Sequence, residues 1–312
     1  MSEWTTSALR VADAGSSTAD WATFVGLTGV ILTLLLALAR LSQSAVRDDV
    51  DPPGRLASIS DESSIECAPD TDAQSTLSEP VVTRDAADHD FSAGADGGTD
   101  GAPTGADERG LSTGALLVNV AFTQGLFGGL LLAAAWYTDV PAWAFGITGE
   151  PLSTGFPAVL VGTALGVGLY VANELGAASA DAMGVEYDER LRSMLAPDTA
   201  LGWLTLFGLV LPIIAGVEEF LFRAAIIGVT TAGFGTSPWV LAVVSSLAFA
   251  LGHGAQGRLG IVVTGGLGFV LAGAFIVTGS FLVVFVAHYL VNALEFAVHE
   301  LLGIDWTGTQ SD

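Results

Sequence analysis

Apolar residues in this chain run in long stretches rather than alternating with polar ones, and Gly, Pro, Ser or charged residues bound each stretch. Runs of about 18 or more mostly apolar residues are long enough to cross a bilayer as helices. The pattern predicts spans at 21–40, 112–136, 155–175, 201–231, 238–253, 259–278 and 280–302, an all-α polytopic transmembrane helix bundle of seven spans. The fourth run is the longest and contains Pro212, which kinks a helix or divides it in two, so eight spans is the alternative count. The stretch VEYDERLRSMLA at 185–196 reads as a short helix lying along the membrane surface.

Residues 43–110 differ in kind. They are rich in Asp, Ser, Thr, Gly, Pro and Ala with no sustained period, so they bury too little apolar area to offset the entropy of ordering, and the segment reads as disordered. The chain therefore divides into a tail and first helix (1–42), an acidic linker (43–110) and a membrane body (111–312). The linker also explains the charge. Of the 33 acidic residues behind the net charge of −23, 16 lie between Arg47 and Arg109. Such acidity keeps proteins soluble at high salt and predicts a salt-adapted source. It also disfavours nucleic acid and anionic surfaces as partners.

All ten basic residues are Arg. Arg40, Arg47, Arg55 and Arg109 flank the linker, Arg190 and Arg192 lie between spans three and four, and Arg258 lies between spans five and six. Seven alternating spans put these three loops on one side, which the positive-inside rule makes cytoplasmic. The expectation is a multi-pass protein of the cell membrane with its N-terminus outside and its C-terminus inside. Ala37-Leu38-Ala39 resembles a signal-peptide cleavage site, but its flank is acidic and the apolar run exceeds the usual ~7–15 residues, so the first helix reads as an uncleaved anchor. Cys67 has neither a disulfide partner nor metal-ligand spacing and reads as an exposed thiol in the linker.

Candidate chemistry sits in the last four spans, where lipid penalises charge. Glu219 and Arg223 stand at i and i+4, share a helix face and form a natural ion pair. Glu218 is turned about 100° from them and stays uncommitted, as a general base or acid requires. His253 ends the fifth span. His288 and Asn292, again i and i+4, face one way on the seventh, and Glu295 and His299 continue that stripe as packing contacts. Glu218 and His253 suffice to activate a water, and His288 with Asn292 to donate to an oxyanion. Alternatively Glu218, His253 and His288 hold a Zn ion with one open position, although the H-E-x-x-H spacing of familiar zinc peptidases is absent.

In order and separation, EEFLFR at 218–223, FALGH at 249–253 and HYLVN at 288–292 resemble the CPBP intramembrane proteases, which include the type II CAAX prenyl endopeptidases and Abi-like relatives. The resemblance covers about residues 200–300 and implies a membrane-embedded endopeptidase. Its substrates would be membrane-anchored peptides or proteins, prenylated CAAX-type proteins among them. It implies that Glu218 and His253 activate water, that Glu219 and Arg223 hold the site in shape, and that His288 and Asn292 stabilise the oxyanion. The family is described both as metal-dependent and as glutamate-type. Ala224 and Gly254 depart from the residues common after the first two motifs.

A non-catalytic scaffold or immunity protein of the same fold is the main alternative, and a proton-relay transporter a further one, although no internal repeat supports it. The sequence also poses a problem of depth. Glu218 lies about 25 Å along a span that starts at 201, whereas His253 ends its own span. The two meet only if the fourth span starts outside the membrane, tilts, or breaks at Pro212 beside a water-filled cavity open to the cytoplasm.

Overall fold

The computed structural model describes residues 19–50, 112–182, 190–254 and 257–304. Most of the acidic linker, with Cys67, lies outside the described residues. Among them the protein is an all-α polytopic bundle without strands. Seven main helices follow in order: α1 (Trp21–Val50), α2 (Thr113–Tyr137), α3 (Phe156–Ala182), α4 (Ala200–Phe234), α5 (Pro238–Gly252), α6 (Gly257–Thr278) and α7 (Phe281–Leu301). They follow the seven predicted runs, but α1 continues ten residues past the predicted end at 40 and into the segment read as linker, and α3 continues to Ala182, past its predicted end at 175. Six are long and apolar enough to cross a membrane, while α5 has only 15 residues. Of the predicted interfacial helix, Arg190–Leu195 is helical, and the residues just before it lie outside the described set.

Polar caps start these helices where the sequence supplies them. Asp20 accepts a hydrogen bond from the Thr23 amide (3.0 Å), and its contacts with Thr23 hold its carboxyl below the usual carboxylate range. Ser280 accepts from the Val283 amide (3.1 Å) and donates to the Ser153 carbonyl (2.9 Å), anchoring the start of α7 although it is fully buried. The surface reverses the soluble pattern. Phe122, Trp136, Val262 and Val277 stand exposed on the outside, whereas Glu219 and Arg223 are fully buried.

Close packing sets the position of α7, which carries the third motif. Gly162 and Gly166 form a G-x-x-x-G step on α3. A Cβ on either would lie 2.7 Å from the Val283 carbonyl or 2.8 Å from that of Ala287, so only glycine permits this approach. Near the start of α7, Phe145 from a 3-10 turn (Ala142–Phe145) stacks on Phe220 at 4.9 Å and meets Phe24 edge-on at 5.5 Å.

Pro212 does not divide α4. The helix is continuous over 35 residues and widens into π turns at Leu206–Val210 and Phe220–Val229. Proline has no amide for the i−4 carbonyl, and the wide turn ahead of it absorbs the mismatch. Such a helix is about 50 Å long, well beyond a hydrocarbon core of ~30 Å, so α4 starts outside the core or tilts through it. At about 22 Å, α5 is shorter than the core, so its end, with His253, can lie at the depth of Glu218.

Candidate active site

Glu218 and Glu219 close the regular part of α4, and the second π turn, which contains Arg223, begins at the next residue. Single π turns recur at functional sites because they re-aim side chains and free carbonyls. Here the Phe222 carbonyl accepts a hydrogen bond from Ser245 of α5 (2.7 Å), fastening α5 to the widened turn. Arg223 Nη1 donates to Glu219 Oε1 (2.8 Å), the predicted pair, and Nη2 donates to the Gly268 carbonyl of α6 (3.0 Å). The guanidinium carbon also lies 4.7 Å from the Phe249 ring centroid.

Glu219 has a second partner that the sequence reading did not assign. His288 Nδ1 donates to the same Oε1 at 2.6 Å, so Glu219 orients this imidazole as well as balancing Arg223. The His288 Nε2 then points to Glu218, 3.6 Å from Oε2 and beyond hydrogen-bond reach. His253 caps α5, and its Nδ1 donates to the Phe249 carbonyl at 2.9 Å. Both imidazoles thus commit Nδ1 to an oxygen and keep Nε2 for chemistry.

Glu218, His253, His288 and Asn292 line one cavity of about 280 Å³. Its walls are otherwise mostly apolar, with Leu206, Val210, Leu211 and Ile214 on α4, Leu267 on α6 and Val291 on α7. Two buried carboxylate oxygens, Glu218 Oε2 and Glu219 Oε2, have no hydrogen-bond partner among the described residues. Buried polar atoms are normally satisfied, and unsatisfied ones call for a functional account.

Glu295 and His299 are more than packing contacts within one helix. Glu295 accepts from Asn173 of α3 (2.5 Å) and from Arg192 (3.1 Å), and Arg192 also donates to Glu300 (2.9 Å). His299, on the terminal π turn of α7, pairs with Glu174 (2.9 Å) and stands 3.8 Å from Glu295. Arg192, Asn173 and Glu295 also line the cavity. Nothing in the spacing of Asn173, Glu174 or Arg192 marked them in the sequence, because their partners lie more than 100 residues away.

Two residue sets bear on a metal. Among the described residues, Glu174, Glu295 and His299 have ligand atoms within 4.8 Å of one another, whereas Glu218, His253 and His288 are not gathered so closely. Both oxygens of Glu295 are, however, already engaged by Asn173 and Arg192, so the tighter group is best described as an ion-pair network. Glu218 and the two Nε2 atoms offer the right donors for zinc, with each imidazole held through Nδ1 as zinc-bound histidines are.

No curated protein and no solved structure matches the chain. Residues 199–294, which run from the start of α4 to near the end of α7 and carry all three motifs, match the family model of the type II CAAX prenyl endopeptidase Rce1-like proteins, a match consistent with the CPBP family that the motifs resemble.

Proposed function

We propose that the protein hydrolyses a peptide bond of a membrane-associated protein, prenylated CAAX-type proteins being one candidate class, with water activated by Glu218 and His253. The family match supports a CAAX-type intramembrane protease in general terms. The observation that carries the finer reading is the single cavity lined by an uncommitted carboxylate, two imidazoles with Nε2 available, and Asn292.

In this reading the Glu218 carboxylate takes a proton from water as the water oxygen bonds to the scissile carbonyl carbon. His253 Nε2 accepts the second water hydrogen and aligns the attack, since Nδ1 is tied to Phe249. The carbonyl electron pair moves to oxygen, where the Asn292 amide donates to it. His288 joins only when its ring carries both protons, because Nδ1–H is committed to Glu219. The C–N bond then breaks and Glu218 returns its proton to the leaving amine. If zinc is resident, Glu218, His253 and His288 would hold it, and it would supply a Lewis acid and a more acidic bound water.

Orientation belongs to the same proposal: the cavity would open toward the cytoplasm, on the side of the arginine-flanked loops. The test is cleavage of membrane-anchored and prenylated peptides by purified protein, beside Glu218→Ala and His253→Ala and with and without chelator. Both variants should be inactive, and full activity of Glu218→Ala would contradict the mechanism. A scaffold of the same fold would cleave nothing in any arm.

A further inference from the structure

Phe249 lies against three members of the interior set, Arg223, His253 and His288. Its ring is buried, with the Arg223 guanidinium 4.7 Å from its centroid, the His253 ring at 4.5 Å, and the His288 ring at 6.0 Å and nearly perpendicular. Phe222 braces it edge-on at 5.0 Å. A Cβ on Gly268 would come within 3.1 Å of the ring, so glycine there lets α6 close over it. The backbone carbonyl of Phe249 itself accepts from His253 Nδ1.

We propose that the Phe249 ring is the positioning element of the site and fixes both imidazoles at once. An aromatic face attracts a guanidinium and sets the plane in which it lies. That plane directs Nη1 to Glu219 and Nη2 to Gly268, and Glu219 in turn holds Nδ1 of His288. The ring also packs against His253 and keeps that imidazole over the Phe249 carbonyl. Leucine fills much of the same space but has no face for the cation and no edge for the rings. The catalytic consequence rests on the peptidase reading, whereas the positioning does not.

The test reads tautomers directly. The chain has four histidines, so ¹⁵N spectra of histidine-labelled protein can be assigned with single His→Gln variants. In the unsubstituted protein His253 and His288 carry the proton on Nδ1, the minor tautomer of a free imidazole. In Phe249→Leu both lose that signature while His299, at the far end of α7, keeps its own. Peptide cleavage falls at least ~10-fold in kcat with little change in KM, as expected when reacting groups are misplaced by a fraction of an ångström. Phe249→Tyr, which keeps the ring, recovers the tautomers and most of the rate. Retention of both tautomers in Phe249→Leu overturns the proposal, as does a change that moves His299 equally. If the unsubstituted protein cleaves no peptide, the peptidase reading fails and the tautomer comparison still decides the positioning.

Discussion

Around Glu218, two carboxylates share one guanidinium and one imidazole; at the end of α7, three carboxylates share one guanidinium and one imidazole. The ingredients match and the arrangements do not. In the network of Glu174, Arg192, Glu295, His299 and Glu300, both Glu295 oxygens are occupied and the histidine uses Nε2 for its ion pair. In the interior, Glu219 takes up both Arg223 and His288 through one oxygen, which leaves Glu218 uncommitted. The interior lies inside the stretch that matches the Rce1-like family, and every member of the outer network falls outside it. A closed ion network holds helices together, whereas a carboxylate oxygen without a hydrogen-bond partner is available to a substrate or water. Residue types alone do not separate the two cases.

Paired substitutions should break this symmetry. His253→Gln should lower peptide cleavage by about 10³-fold, within the range for lost general acid–base groups, while His299→Gln leaves the rate nearly unchanged. A similar loss from both would mean that the outer network takes part in the chemistry. Next in size, Arg223→Met leaves Glu219 charged and buried without its cation, and should destabilise the fold by about 3–5 kcal/mol in denaturant unfolding. Asn292→Ala removes a proposed oxyanion donor and should reduce kcat by about 10²-fold with KM little changed. The smallest effect belongs to Arg192→Ala. Its ion pairs retain some exposure, at 15–18% for the side chains concerned, and the expected cost is about 1 kcal/mol once solvent screening is allowed for.

Much of the bundle was legible because lipid-spanning helices announce themselves by length and composition, and the seven runs became seven helices. The pairing of Glu219 with Arg223 was legible for a similar reason, since i and i+4 spacing is local. His288 on Glu219 was not, because a contact across 69 positions leaves no periodic trace. Nor was the continuity of α4 past Pro212: the wide turns that accommodate it have no sequence signature, and proline alone suggests a break. The outer network shows the same limit. Glu295 and His299 read as a stripe on one helix, but their partners come from α3 and the short helix at Arg190–Leu195, which no spacing rule connects to α7.

The central claim is that Glu218, and not the other buried or half-buried carboxylates, exchanges the proton of the attacking water. The most direct measurement is single-turnover cleavage of a membrane-anchored peptide by Glu218→Gln and Glu295→Gln, each checked for retained thermal unfolding. The account predicts that Glu218→Gln is inactive although folded and that Glu295→Gln cleaves at close to the unsubstituted rate. Cleavage by Glu218→Gln at an undiminished rate would contradict it.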